Sequence, residues 1–168
     1  MTQQTTSGKY AGIALPPKKK LTGYFFGGGG MNIASAFEVI RAKNKNEVLG
    51  DFQAEYEFAC YDTSPANFSA KIPRDRIYLP QDIDKSEGGG GQRGKNSDVH
   101  KEHIPLFLQQ FPPGDVCFVA STWCGSTGGT SSQMAVNELL KMGKTVVVFG
   151  IGSSIEGQDC SNTLLTIS

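Results

Sequence analysis

Leu21-Thr22-Gly23-Tyr24-Phe25-Phe26 runs without a break into Gly27-Gly28-Gly29-Gly30-Met31-Asn32-Ile33-Ala34. The first six residues are mostly apolar or aromatic, the signature of a short buried strand. Four glycines follow at once, and then a helical pattern begins. Ile33, Phe37 and Ile40 stand at i, i+4 and i+7, which predicts that they form the helix's apolar face. The stretch is a strand, a glycine turn and a helix in immediate succession.

A second unit of the same kind lies further along. Asp115 to Ala120 is almost wholly apolar and reads as a strand. Ser121-Thr122-Trp123-Cys124-Gly125-Ser126-Thr127-Gly128-Gly129-Thr130 forms its loop. The helix that follows carries Met134, Leu139 and Leu140, and Gly143 beyond Met142 is placed to cap its C-terminus. Three further runs read as strands: 52–61, 76–79 and 145–149. Residues 97–110 read as a helix that Pro105 must start, kink or divide. Strands alternating with helices imply a doubly wound, mainly parallel α/β sheet with helices on both faces. The apolar runs at 116–120 and 145–149 read as central strands, buried on both sides. Residues 1–17 are polar, with Pro16 and Pro17, and read as a loose arm before a single domain at 18–168.

In such a sheet of order 3-2-1-4-5, strands 1 and 4 are neighbours, and their loops leave in opposite directions across a crevice. Both strand-linked glycine loops of this chain follow those two strands. Each opens a helix, whose first N–H groups are unpaired and carry partial positive charge. Glycine lets an anion approach such an end with no Cβ in the way. The arrangement suits a polyphosphate. A third glycine run, Gly88 to Gly91, is placed to close over its outer end.

Two phosphate motifs fit poorly. Gly27-x-Gly29 is followed by Asn32 where a dinucleotide fingerprint needs glycine, and no acidic residue ends a strand about 20 residues later. Gly89 to Lys95 matches G-x-x-x-x-G-K, but Asn96 replaces the metal-binding Ser or Thr, and residues 82–87 are no buried strand.

Composition narrows the partners. Lysine plus arginine and aspartate plus glutamate number 16 each, so the formal charge is zero. No overall field draws the chain to nucleic acid or anionic lipid, and neither is expected as a partner. Lys18, Lys19 and Lys20 read as a solvated strand edge. No apolar run reaches the ~20 residues of a membrane span, and the N-terminus lacks a signal peptide's apolar core. Cys60, Cys117, Cys124 and Cys160 show no C-x-x-C spacing; Cys60 and Cys117 read as buried thiols, which suits a reducing compartment. His100 and His103 share a helix face and read as surface or structural residues, not metal ligands. Ser121 and Ser131 read as loop and cap residues, not nucleophiles. Glycine, at 21 of 168 residues, is the compositional excess, against a usual ~7 %.

The motifs resemble those of the tubulin/FtsZ superfamily. Gly27 to Ala34 is similar to the first glycine motif of FtsZ, and the methionine inserted before Asn32 resembles the phage tubulin-like variant. Cys124 to Thr130 resembles the superfamily's signature loop, roughly G-G-G-T-G-T/S-G. Cys124 and Ser126 replace two glycines, and Gly129 and Thr130 stand where Thr/Ser and Gly are the rule. Gly88 to Arg93 resembles the phage proteins' γ-phosphate loop, Tyr61-Asp62-Thr63 their loop after the second strand, and Ser154-Ile155-Glu156-Gly157 their ribose-contacting segment. Cys160 stands where FtsZ proteins often carry arginine.

The resemblance implies GTP or GDP, with or without magnesium. Gly28, Gly29, Gly30 and Asn32 would approach phosphate and base. Gly125, Ser126, Thr127, Gly128 and Gly129 would cradle the phosphates. Gly90, Gly91 and Gln92 would reach the outermost phosphate, and Glu156 would accept from the ribose. In the family, a long central helix, an acidic catalytic loop and a second domain follow this region. The 168 residues contain none of them, so the chain is expected to be a fragment or a natural half. GTP hydrolysis then requires an acidic loop from another subunit or from the missing half.

Three functions compete at this level. The first is a GTP-binding domain of a filament-forming phage cytoskeletal protein that self-associates in the cytoplasm of an infected bacterium and binds without efficient hydrolysis. The second is a structural virion or assembly protein with a degenerate site. The third is a small-molecule enzyme on a generic α/β scaffold, against which stands the lack of a nucleophile–base pair.

Overall fold

The computed structural model describes residues 19–43, 55–80 and 96–152. The expected N-terminal arm, the 88–91 loop and the segment around Glu156 lie outside them. The elements run β1 (Lys20–Phe26), α1 (Gly27–Lys43), β2 (Glu55–Tyr61), β3 (Ile77–Tyr78), α2 (Ser97–Gln110), β4 (Val116–Thr122), α3 (Ser126–Lys141) and β5 (Thr145–Ile151). Two short 3-10 turns, 65–67 and 74–76, link β2 to β3. All pairings are parallel, and the strand order is β3-β2-β1-β4-β5. This is the order expected from the two glycine loops.

Alternation along the strands divides the core in two. Tyr24 lies opposite Ala59 and Val119, and Phe26 opposite Tyr61 and Ser121. Tyr24, Phe26, Ala59, Tyr61, Cys117 and Val119 share a face and pack with Ile104, Phe107 and Leu108 of α2 and Ala135 and Leu139 of α3. The other face presents Phe25, Phe58, Cys60 and Ala120 to Met31 and Ala34 of α1. Cys60 and Cys117 are buried free thiols, as expected. α2 runs through Pro105, which sits on its exposed side. Gly143, at φ +70°, donates to the Leu140 carbonyl and ends α3.

Two expectations are corrected. β5 is a terminal strand of the described sheet, not a central one. Val147, Val148, Phe149 and Ile151 are each 41–50 % exposed, because the helices are centred over the β2–β1–β4 core. On α1 the buried side is Gly30, Met31, Ala34 and Ser35. Ile33 is partly buried, Phe37 is 45 % exposed and Ile40 57 % exposed. Phe37 still meets the rings of Phe25 and Phe118 at 6.1 and 6.2 Å, so the predicted stripe borders the interface instead of filling it.

The histidines are structural. Both are buried. The Tyr61 hydroxyl lies 2.9 Å from His100 Nδ1, and the Tyr78 hydroxyl 2.8 Å from His103 Nδ1. Each pair fastens α2 to the strand ends of β2 and β3, and no metal-binding cluster occurs among the described residues. Burial holds His100 down at about 4 against an ordinary 6.5. The folded state therefore keeps it neutral where the unfolded chain already binds a proton, so its contribution is present above pH 6.5 and lost as pH falls towards 4. Asp62 works in the opposite sense, since burial raises its carboxyl. The comparison of wild type with His100→Gln isolates the histidine. The variant's stability should fall less between pH 6.5 and 4.5, by about 2 kcal/mol in denaturant titrations; parallel profiles would contradict the assignment.

Candidate functional site

The carboxyl ends of β1 and β4 lie side by side, with Phe26 opposite Ser121. Their glycine turns meet there. Gly27 has φ +71°, a conformation that L side chains rarely adopt. A Cβ on it would come 2.8 Å from the Gly128 amide nitrogen. A Cβ on Gly128 would come 2.6 Å from the Thr122 carbonyl oxygen and 3.2 Å from that of Phe26. One on Gly30 would press on the Phe25 backbone at 2.9 Å and the Ala120 oxygen at 3.1 Å. These three glycines bring two helix starts into contact over the ends of the central strands.

Gly125 differs. It is the N-cap of α3 with φ −79° and ψ 153°, and a Cβ there would meet only Thr122 Oγ1 at 3.8 Å. The first intrahelical bond is Gly129 N–H to the Gly125 carbonyl, at 3.1 Å. The amides of Ser126, Thr127 and Gly128 precede that bond, so the helix itself gives them no partner. Gly28 and Gly29 are half-buried; a Cβ on Gly28 would meet the Asn67 side chain at 3.0 Å, and one on Gly29 would run into the Thr122 side chain. Asn32 is exposed on α1.

The loop after β2 forms a third wall. Asp62 Oδ1 accepts from the Thr63 and Ser64 amides at 2.7 and 3.1 Å, and Oδ2 from Asn67 Nδ2 at 2.9 Å. Thr63 and Thr127 bring their Oγ1 atoms to 2.7 Å. The 62–67 loop thus touches α1 through Asn67 and α3 through Thr63. Burial raises the Asp62 carboxyl, and its three donors pull the other way. Ser131 Oγ donates to the Thr127 carbonyl at 2.6 Å and Ser121 Oγ to Ser132 Oγ at 3.0 Å. Ser121 and Ser131 are buried in these bonds, but not as the loop and cap residues expected: Ser121 belongs to β4 and Ser131 lies inside α3, whose N-cap is Gly125.

None of residues 26–40, 61–68 or 121–134 is lysine or arginine. An anion here would be held by amide N–H groups and helix dipoles. The described residues bring Gly28, Gly29, Gly30, Asn32 and Gly125 to Gly129 to one edge of the sheet. Gly90, Gly91, Gln92 and Glu156 lie outside them. Asp62, Thr63 and Asn67 were not among the site residues read from the sequence. The signal was available: β2 adjoins β1, so its C-terminal loop must open on the same crevice. The cradle fits a phosphate chain in one testable respect: at Gly27 and Gly128 a Cβ would fill the junction, whereas at Gly125 it would meet, among the described residues, only Thr122 Oγ1 in ordinary contact.

Comparison with known proteins agrees with this fold. No protein-family model matches the chain. It is 29 % identical over 109 residues to a "Phage tubulin-like protein" of Pseudomonas phage PhiPA3, an alignment covering 63 % of this chain and 34 % of that relative. Its fold matches the protofilament of TubZ from bacteriophage PhiKZ with a TM-score of 0.72 and 24 % identity, over 88 % of this chain and 42 % of that one. It also matches the GDP-bound monomer of CetZ1 from Haloferax volcanii with a TM-score of 0.73 and 19 % identity, over 88 % and 46 %. The chain thus spans about a third of the curated relative's length and under half of either structure's.

Proposed function

From a tubulin/FtsZ-like protein of the phage type, we propose a guanine-nucleotide-binding function: GTP or GDP sits in the crevice between the first turns of α1 and α3, and the bound chain self-associates in a filament. The observation that carries this reading is the contact of two helix N-termini, Gly27 against Gly128, at adjacent strand ends, in turns that themselves contain no lysine or arginine. The similarity to a phage tubulin-like sequence and to a GDP-bound neighbour supports the ligand class. In this reading Ser126 to Gly128 hold phosphate through their amides, and Gly28, Gly29 and Asn32 face phosphate and base. Gly90, Gly91 and Gln92 reach the outer phosphate, and Glu156 the ribose. Magnesium would accompany the phosphates.

Hydrolysis is a separate question. Asp62 is the acidic side chain that the described residues bring to this edge. It is buried, and both oxygens are occupied by its own loop. A water-activating group must be free to accept a proton. The chain is therefore expected to bind nucleotide without turning it over. Purified protein incubated with GTP and magnesium should release phosphate at the buffer rate.

Calorimetric titration with GTP, GDP and ATP tests the main reading. Saturable binding of both guanine nucleotides, and weaker binding of ATP, is the expected result. No saturation at millimolar nucleotide would overturn it and favour a structural assembly protein, for which the substitutions Cys124 and Ser126 in the signature loop are the supporting observation.

A further inference from the structure

Trp123 is the chain's one tryptophan. It stands between β4 and the N-cap of α3, and two contacts tie it to β5. Its amide donates to the Ile151 carbonyl at 2.8 Å, which carries the β4–β5 ladder one residue past Thr122. Its indole lies directly over Gly150: a Cβ there would fall on Cε2 and Cζ2 of the ring. Gly150 does not have the left-handed conformation that requires glycine, so its missing side chain answers the ring and not the backbone. A large residue at 123 and an absent side chain at 150 fit as a pair. The half-buried indole is followed at once by Cys124 and Gly125, and then by the amides that open α3.

We propose that Trp123 is a positioning residue of the anion site. Wedged over Gly150, it fixes the turn Trp123-Cys124-Gly125 so that the first amides of α3 point into the crevice before any ligand arrives. The inference rests on the nucleotide-binding reading above. Its physical basis is preorganisation. Among the described residues a Cβ on Gly125 would meet only Thr122 Oγ1, at 3.8 Å, so no packed side chain holds residue 125, and a short turn ending in it would sample many conformations and would have to order on binding. The ring and the extra ladder bond remove that freedom in advance. Neither acts on the ligand by contact.

Four variants test this in the full chain. Trp123→Ala removes the ring. Gly150→Ala leaves the turn's own residues intact and displaces the ring from β5. Each should weaken GTP binding by about 10-fold or more, the scale set by small misplacements of binding groups. The double variant should be no weaker than either single, because the new methyl occupies space that the ring has vacated. Trp123→Phe should recover part of the loss. Amides 124–128 should exchange faster in both single variants without nucleotide. If wild type binds GTP and both single variants match it in affinity and exchange, Trp123 is mere packing and the proposal fails. If wild type itself does not bind, the nucleotide reading fails and takes this inference with it.

Discussion

Gly125→Asp should raise the melting temperature of the ligand-free protein and abolish its binding of GTP. The two effects have opposite signs because they share one place. Gly125 caps α3 in an extended conformation, φ −79° and ψ 153°, that aspartate adopts without strain. Among the described residues a Cβ there makes only an ordinary contact, with Thr122 Oγ1 at 3.8 Å. The carboxylate can accept from the amides of Thr127 or Gly128 and lies at the positive end of the helix. Capping, the dipole and the reduced freedom of the unfolded chain together give about 1–2 kcal/mol. For a chain of this size that is about 2–8 °C.

The same carboxylate then occupies the amides that phosphate would use and puts a negative charge beside it. Loss of at least about 100-fold in affinity is expected from losing one charge-assisted contact and adding a repulsion of comparable size. Gly125→Ser separates the two causes: it caps without the charge, so it should stabilise less and retain part of the binding. Scanning fluorimetry and GTP titration on the three proteins are sufficient. A stabilised Gly125→Asp protein that still bound GTP like wild type would place the phosphate elsewhere. Gly29→Val is a poorer probe of the same pocket, since its Cβ would run into the Thr122 side chain and so perturb folding as well.

Much of the fold was legible because local signals agreed. Both glycine runs sit directly between an apolar strand and a helix, and that placement alone specifies which strands must be neighbours. Gly143 marked the end of α3 for the same local reason. The burial of β5 was overestimated because Thr145-Val146-Val147-Val148-Phe149 is a continuous apolar run, and such a run reads alike in a central strand and in a terminal one. The buried side of α1 was missed because glycine and alanine carry little hydrophobic weight. Close helix–sheet approach at Gly30 and Ala34 selects small residues, while the bulky Phe37 and Ile40 are left at the margin. The third wall of the site was left out for another reason, although its position after β2 pointed to the crevice. Asp62, Thr63 and Asn67 form an ordinary turn sequence, and they gain meaning only from the 2.7 Å approach of Thr63 to Thr127 across the crevice.

Gly128→Ala should destabilise the fold more than a substitution at Trp123, Gly125 or Gly150. Its added methyl would lie 2.6 Å from the Thr122 carbonyl oxygen and 3.2 Å from that of Phe26. Both obstacles are main-chain atoms at the ends of the two central strands, so no rotamer change relieves them. α3 would have to lift from the sheet, drawing Ser132 from Ser121 of β4 and Thr127 from Thr63. Overpacking of this kind costs about 2–4 kcal/mol, a large share of the stability of a domain this size. Gly27→Ala attacks the junction from the other side, through its left-handed φ and a methyl 2.8 Å from the Gly128 nitrogen. If one contact is the origin of both losses, the double variant should fall short of their sum by about 1 kcal/mol or more. Chemical denaturation of the four proteins measures this directly. Additive losses, or a Gly128→Ala protein as stable as wild type, would mean that the turns of α1 and α3 do not abut, and the anion cradle built on that contact would go with it.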